Sequence, residues 1–103
     1  MSDPFKIQQG SSSALNITAA TLIEVTQTAG GVYRPVRAVR VNVLVAGSAP
    51  GSVNDSATIA GAAAANQIFV IPNTVGSYLI DWPCFAGMVV TPGTGQTIAV
   101  CYD

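Results

Sequence analysis

The sequence predicts an all-β fold, a small antiparallel β-sandwich of about seven or eight short strands, either jelly-roll-like or immunoglobulin-like. Short runs of β-branched and aromatic residues recur along the 103 residues. Turn signals separate these runs about every 8–12 residues, and the helical periodicity of apolar residues is almost absent. The six prolines and ten glycines stand mostly between the runs. A chain of this length is expected to form one domain around one core.

The chain opens with a polar segment, predicted to be a flexible arm of residues 1–13 that precedes a sandwich domain of residues 14–103. The segment ends in Gly10-Ser11-Ser12-Ser13 and offers little to a core. Such a segment is expected to become ordered only against a neighbouring molecule. Because no basic start and apolar stretch resembles a secretory signal, synthesis in a cytoplasm is expected.

The clearest predicted strand covers residues 38–45, where every second residue is a valine expected to face the core: Val39, Val41, Val43 and Val45. The same alternation places Arg37 and Arg40 on opposite sides of the strand. The other strands are predicted where branched residues cluster between turn residues, at 21–27, 67–71, 77–82, 86–91 and 97–102.

The segments between strands also carry predictions. Paired glycines favour a turn at residues 28–31. The alanine-rich residues 61–65 are expected to form a loop or brief helix that crosses between sheets. Pro83 is expected to end the strand before it. Residues 92–96, Pro-Gly-Thr-Gly-Gln, are expected to join the last two strands as a β-hairpin.

Charged residues are scarce in this chain. Only 9% of residues are charged, with four basic and five acidic side chains and no histidine, whereas half of the residues are hydrophobic. An ordinary soluble domain carries about 25% charged residues. A surface so poor in charge predicts a protein covered by copies of itself or by a larger assembly. The three arginines between residues 34 and 40 are too few for a nucleic-acid interface, and the apolar runs are too short for a membrane span.

Candidate catalytic groups are few, and each has a simpler interpretation. Without histidine the usual serine and cysteine triads cannot form. Asp55 and Asp81 are the only acidic pair within the domain that resembles a glycosidase dyad. We expect Asp55 instead to cap its own loop, around Asn54 and Ser56, and Asp81 to be exposed or paired with an arginine. The glycines of residues 92–96 precede a strand rather than the helix that a phosphate site requires.

Cys84 and Cys101 are expected to be reduced, buried thiols, since no secretory signal is recognised. A zinc site is not expected, because neither a histidine nor a second cysteine pair is present. No catalytic residue, metal or cofactor is predicted. Tyr33, Tyr78 and Trp82 could form an aromatic platform for a sugar ring. Trp82, which precedes Pro83 in an apolar strand, favours a core or interface anchor instead.

Residues 37–103, about two-thirds of the chain, resemble a family of small virion proteins of tailed bacteriophages and prophages. The order of motifs carries the resemblance more than any one motif: residues 40–48 (RVNVLVAGS), 50–55 (PGSVND), 62–68 (AAAANQI), 71–76 (IPNTVG), 81–84 (DWPC) and 87–96 (GMVVTPGTGQ). The resemblance implies a structural component of a virion that is made in the host cytoplasm. It leaves capsid and tail locations open.

The composition narrows this expectation to a capsid decoration, or cement, protein. We expect a homo-oligomer, with a trimer favoured, that binds the major capsid protein or other virion proteins, with the arm and edge loops clamping the shell. Two alternatives remain, a structural protein of the tail, fibre or spike and a carbohydrate-binding module for host attachment. The predicted interface residues are Ser2, Pro4, Phe5, Ile7, Tyr33 and Trp82.

Overall fold

The computed structural model describes residues 12–27 and 33–103, and these residues contain ten strands and one short 3-10 helix. The predicted turn at residues 28–31 lies outside the described residues. The helix spans Ala64–Asn66, between the sixth and seventh strands. The strands are β1 (Ser12–Ile17), β2 (Thr21–Ile23), β3 (Thr26–Gln27), β4 (Tyr33–Arg34), β5 (Val36–Val45), β6 (Gly51–Asp55), β7 (Gln67–Ile71), β8 (Gly76–Cys84), β9 (Met88–Thr91) and β10 (Thr97–Tyr102).

Eight of the strands form two four-stranded antiparallel sheets. The first sheet has the order β1-β10-β5-β8, and the second has the order β2-β9-β6-β7. Pairing is nested, since β1 pairs with β10, β2 with β9, β5 with β8 and β6 with β7. A chain folded back on itself and rolled into two sheets in this way has the double Greek-key topology of a jelly roll. The sandwich prediction is therefore confirmed, and its jelly-roll form is the one observed.

The core lies between the inner faces of the two sheets and consists mainly of branched aliphatic side chains. Each such side chain contributes about 1.5–3 kcal/mol when it is removed from water. β-Branched residues suit this position because their restricted rotamers pack well on a pleated surface. The buried cluster comprises Ile17, Val36, Ala38, Val41, Val43, Val53, Ile71, Cys84, Met88, Val90, Ile98 and Val100.

The register of the first sheet shifts at four points, one between β1 and β10, two between β10 and β5 and one between β5 and β8. The bulges in β1 and β8 each contain a residue with positive φ. In β1, Asn16 has a φ of 54°, and in β8, Asp81 has a φ of 51°. Asn and Asp adopt this left-handed region more readily than other residues with a Cβ. At the β8 bulge, Ala38 pairs with Trp82 while Arg40 pairs with Leu79, so two residues of β8 oppose Val39 alone. Each bulge shifts the register by one residue and thereby changes which side chains face the core.

Two predictions for β5 are wrong, and each fails at a shift in register. Arg37 and Arg40 both lie on the outer side of the first sheet, because the alternation is reset between them. One of the two irregularities between β5 and β10 leaves Leu44 without an opposite residue. Val45 is consequently 51% exposed rather than buried. Val39, Val41 and Val43 of the predicted valine stripe are buried, and Val41 and Val43 also belong to the core cluster.

Two predicted connections are also wrong, although their strands exist. β9 and β10 do not form a hairpin, because β9 lies in the second sheet and β10 in the first. The link of residues 92–96 therefore crosses between the sheets. The alanine-rich segment does form a loop with a brief helix, but it joins β6 to β7, which are neighbours in the second sheet. Local turn signals do not distinguish a hairpin from a crossing.

Two strand boundaries differ from the predicted ones. β8 continues through Pro83 to Cys84, and β8 is an edge strand, where proline is tolerated. β1 begins at Ser12, opposite Tyr102, so two residues of the predicted arm belong to the first sheet.

Candidate interaction surfaces

One end of the sandwich is formed by the links of residues 46–50, 72–75 and 92–96, and we call it the tied end. The Asn73 side chain bridges to the backbone of Gly47 in both directions. Its Oδ1 accepts from the Gly47 N–H at 2.7 Å, and its Nδ2 donates to the Gly47 carbonyl at 2.7 Å. The Ser48 N–H donates to the Thr94 carbonyl at 2.8 Å. These bonds join three links that come from both sheets.

Gln96 strengthens the tied end from within. Its side chain is 1% exposed. The amide Nε2 donates to the Pro72 carbonyl at 2.9 Å, while Oε1 accepts from the Gly93 N–H at 2.9 Å. The backbone at Gly93 also lies so close to the Ala49 carbonyl that a Cβ there would collide with it. This end is therefore closed by buried polar contacts and by a close approach between backbones.

The opposite end exposes large rings, and we call it the aromatic end. Trp82 is 53% exposed and Phe85 is 68% exposed. The Asp55 carboxylate holds the backbone beside Phe85, since Oδ2 accepts from the Phe85 N–H at 3.2 Å and Oδ1 from the Ala86 N–H at 2.8 Å. A hollow of about 410 Å³ lies there, lined by Glu24, Val25, Ala57, Phe85 and Ala86.

The described members of the predicted interface fall at this aromatic end. Trp82 lies near the end of β8, and Tyr33 lies in β4, directly before β5 begins. The first described residue, Ser12, also lies at this end of the first sheet. The other predicted interface residues lie outside the described residues: Ser2, Pro4, Phe5 and Ile7. The sequence did not single out Phe85, although a large apolar residue in the loop after Pro83-Cys84 was a usable signal.

Tyr78 does not contribute to the aromatic platform proposed for a sugar. Its ring packs against the core, and its hydroxyl donates to the Thr74 carbonyl at 2.8 Å. The side chain of Tyr33 lies outside what the structure describes. Of the three predicted rings, Trp82 is the one that the structure shows exposed.

The outer side of the first sheet, which we call the outer face, carries exposed aliphatic side chains. Leu15 is 73%, Leu44 54% and Leu79 60% exposed. The register places Ser13, Cys101, Arg40 and Leu79 in one row across the four strands. Sequence reasoning did not single out this surface, although the alternation along β5 already placed Leu44 on the side opposite the valines.

Asp55 and Asp81 serve separate structural roles. Asp81 pairs with Arg37, whose Nη2 lies 2.6 Å and whose Nε lies 2.8 Å from Oδ1, which confirms the expected arginine partner. Both side chains are about half exposed, so the pair contributes at most about 1 kcal/mol. Asp55 lies in the second sheet and binds residues 85 and 86, not the loop that it was expected to cap.

The two cysteines are free thiols with different environments. Cys84 is fully buried, as predicted, whereas Cys101 is only partly buried. Burial, with a smaller contribution from the Asp55 carboxylate, raises the pKa of the Cys84 thiol to about 12. Over residues 12–27 and 33–103, His, Cys, Asp and Glu side chains form no group of three or more that could hold a metal ion.

Comparisons with known proteins return no match of this chain to a family model, to a curated protein or to a solved structure. Within the described ranges there is also no helix with the length and apolar character needed to cross a membrane.

Proposed function

We propose that this chain is a non-enzymatic structural protein of a tailed-phage virion, a capsid decoration protein that self-associates and stabilises contacts between major capsid protein subunits. One observation carries the proposal. A jelly roll with a complete core leaves three leucine side chains of its outer face between 54% and 73% exposed. Exposed apolar surface of this kind is typical of proteins that work within an assembly.

The fold and the sequence motifs support the proposal independently. Eight-stranded jelly rolls are common among viral capsid and lectin domains, although a fold alone does not determine function. The motifs of residues 40–48, 71–76 and 87–96 resemble those of phage virion proteins. A charged fraction of 9% fits a protein whose surface is largely covered in its working state.

The two ends suggest how the protein is oriented on the shell. Trp82 and Phe85 at the aromatic end are large exposed rings of the kind that dominate binding interfaces. The tied end is closed by polar contacts and carries no comparable ring in the described part of the chain. In our proposal the aromatic end faces the capsid and the tied end faces outward. Because burial of apolar area provides the affinity, attachment should respond weakly to salt.

The copy number of the protein in purified particles tests this function. Quantitative mass spectrometry against the major capsid protein is expected to give about one copy per capsid subunit, or one trimer per local three-fold axis. A few copies per particle would instead indicate the tail, fibre or spike. Complete absence from particles would reject a virion role.

Attachment through the aromatic end is tested with matched variants. Phe85→Ser removes an exposed ring, and Val70→Ser removes an exposed side chain, 52% accessible, from β7 of the second sheet. The proposal expects Phe85→Ser to weaken binding to undecorated shells about tenfold or more, a typical effect for an interface anchor. Val70→Ser should bind like the wild type. Equal binding by both variants would show that the aromatic end does not face the shell.

A carbohydrate-binding function has one observation in its favour, the 53% exposure of Trp82. It predicts retention of the chain on a host glycan that Trp82→Ala abolishes. Retention that survives this substitution, or no retention at all, would leave the decoration function as the better explanation.

A further inference from the structure

A groove runs along the outer side of the second sheet, over its interior strand β6. Two hollows of about 380 Å³ each adjoin there. Binding sites for small molecules have volumes of about 300–1,000 Å³. The two hollows form one groove because three residues line both of them: Ser52, Gln67 and Thr91.

The walls of the groove come from the links between strands. At the tied end the groove is bounded by Pro50 and Pro92. Its other half is bounded by residues 56–66, which we call the strap. The strap contributes Ile59 and residues 62–64 to the lining, so it folds back over the sheet that it connects. The groove therefore begins at the tied end and extends to the strap.

Hydrogen bonds hold the strap against the sheet. The Asn54 side chain is 3% exposed, and its Nδ2 donates to the Ala63 carbonyl at 2.8 Å and to Asn66 Oδ1 at 3.0 Å. Asn66 Oδ1 also accepts from the Ala63 N–H, and Asn66 Nδ2 donates to the Gly61 carbonyl, at 2.9 Å each. Both walls are therefore fixed in the free protein, which lowers the cost of ordering the site when a ligand binds.

The chemistry of the groove is polar but uncharged. None of the described residues that line it carries a charge. Its polar groups are hydroxyls and amides, which both donate and accept hydrogen bonds. Within the described part of the chain, the Thr91 hydroxyl and the Gln67 side-chain amide have no hydrogen-bond partner. Thr91 lies directly opposite Ser52 on β6. Apolar side chains stand beside these groups: Pro50, Ile59, Val70 and Pro92.

A sugar fits this groove better than a peptide or an anion. A peptide gains affinity for a β-sheet protein by adding a strand to a free sheet edge. The groove instead lies over β6, whose backbone is paired with β7 on one side and with β9 on the other. A peptide would leave much of its own buried backbone unpaired there, which is costly. The hydroxyl groups of a sugar need only side chains that donate and accept, and an anion would find no cation in the described lining.

We propose that the groove binds a neutral oligosaccharide, with Ser52, Gln67 and Thr91 hydrogen-bonded to its hydroxyl groups. This site lies away from Trp82 and adds a binding activity to the proposed attachment to the shell. In the orientation proposed above the tied end faces outward, so the groove of a decorated particle opens towards the polysaccharides of the host surface. That last step rests on the proposed function, whereas the binding of sugar by the isolated protein does not.

The class of ligand is tested with the purified full chain on immobilised glycans, both neutral (glucans, galactans and N-acetylglucosamine oligomers) and acidic (sialylated and sulfated). We expect retention on at least one neutral glycan, with no requirement for an acidic group. Thr91→Val removes the hydroxyl at nearly constant shape and should weaken this binding about threefold to tenfold. The matched control, Thr97→Val in β10 of the first sheet, should bind like the wild type. Retention on none of the neutral glycans, or equal binding by both variants, would overturn the inference.

The position of the ligand is tested by nuclear magnetic resonance of the isotope-labelled chain. The retained glycan should shift the backbone amide signals of Ser52, Gln67 and Thr91 and leave those of Trp82 and Phe85 unchanged. Trp82→Ala should keep the affinity, whereas Gln67→Glu, which replaces an exposed donor with an acceptor, should lower it about threefold or more. Shifts confined to Trp82 and Phe85 would place the sugar at the aromatic end. An acetylated alanine–serine hexapeptide that shifts the groove signals more strongly than any glycan would assign the groove to a peptide. Either result contradicts the proposal.

Urea unfolding of each variant confirms that it is folded before its binding is compared. Since these experiments use protein without particles, they separate the inference from the proposed function. A protein present at capsid stoichiometry that no neutral glycan retains would keep its function and lose this inference. A protein that binds a neutral glycan through the groove but is absent from particles would do the reverse.

Discussion

Gln96 provides a sharp test of the way in which the tied end is held together. Its buried amide both donates and accepts, to the Pro72 carbonyl and from the Gly93 N–H, at 2.9 Å each. Gln96→Glu preserves the volume and leaves an oxygen that can accept from Gly93. The second oxygen, however, replaces the donor that faces the Pro72 carbonyl. Two acceptors would then confront each other in a buried site.

The loss of stability follows from the one hydrogen bond that is broken, to the Pro72 carbonyl. Losing one net hydrogen bond costs about 1 kcal/mol, and leaving the buried carbonyl unpaired adds about 1–3 kcal/mol. We expect Gln96→Glu to reduce the free energy of unfolding by about 2–4 kcal/mol at pH 7. A protonated carboxyl can donate to Pro72, so burial and this acceptor should raise the folded-state pKa of the introduced group above its unfolded value of about 4.3. The stability of the variant should therefore be highest below about pH 4.3 and fall as the pH rises through the folded-state pKa.

The assay is urea unfolding of the wild type and the variant between pH 4 and pH 8. The matched control is Gln67→Glu, the same substitution at an exposed position of β7, which should change stability by less than about 0.5 kcal/mol. The reasoning would be refuted if the two variants had the same stability at pH 7 and the same dependence on pH. In that case the Gln96 amide would contribute nothing to closing the sandwich.

Three further predictions test other parts of the structure. The Cys84 thiol, with its pKa raised to about 12 from an unfolded value near 9.0, should resist alkylation at pH 8 until the protein unfolds. The contribution of the protonated thiol to stability should be complete below pH 9 and should be lost as the pH rises from about 9 to about 12. Unfolding curves of Cys84→Ala should not show this loss. Asn73→Asp replaces the donor to the Gly47 carbonyl with an acceptor and should cost about 2–3 kcal/mol in urea unfolding at pH 7. Arg37→Gln should cost less than about 1 kcal/mol in the same assay, because its ion pair with Asp81 is half exposed; a larger loss would show that this pair fixes the bulge.

Strand positions were largely predictable because they depend on local chemistry. Branched residues cluster in the segments that became β5, β7 and β10, and glycines and prolines mark their ends. Sheet membership depends instead on pairings between distant residues. The link of residues 92–96 has the composition of a hairpin, yet its two strands pair with β2, β6, β1 and β5 and lie in different sheets. No local signal near residues 92–96 distinguishes these outcomes.

The candidate surfaces were predictable only in part, for a related reason. Trp82 stood out as a large ring next to a proline, and the structure places it with Tyr33 at one end of the sandwich. Leu79 and Leu44 did not stand out, although alternation with Val41 and Val43 already places Leu44 on the outer side. The bulges do change the side of other residues, such as Arg37 relative to Arg40. The bulge at Asp81 depends on a residue that tolerates positive φ and on the register with β5. Sequence patterning captures the first condition poorly and the second not at all.

The exposed aliphatic residues of the outer face have no role in the isolated domain, which already buries a continuous cluster of branched side chains between its sheets. An exposed Leu79 or Leu15 contributes nothing to that core and reduces solubility. Burial of each such side chain in an assembly contributes about 1.5–3 kcal/mol, and this gain is not screened by salt. A protein with 9% charged residues has few ionic contacts with which to associate. Its strongest available interaction is therefore the burial of the outer face.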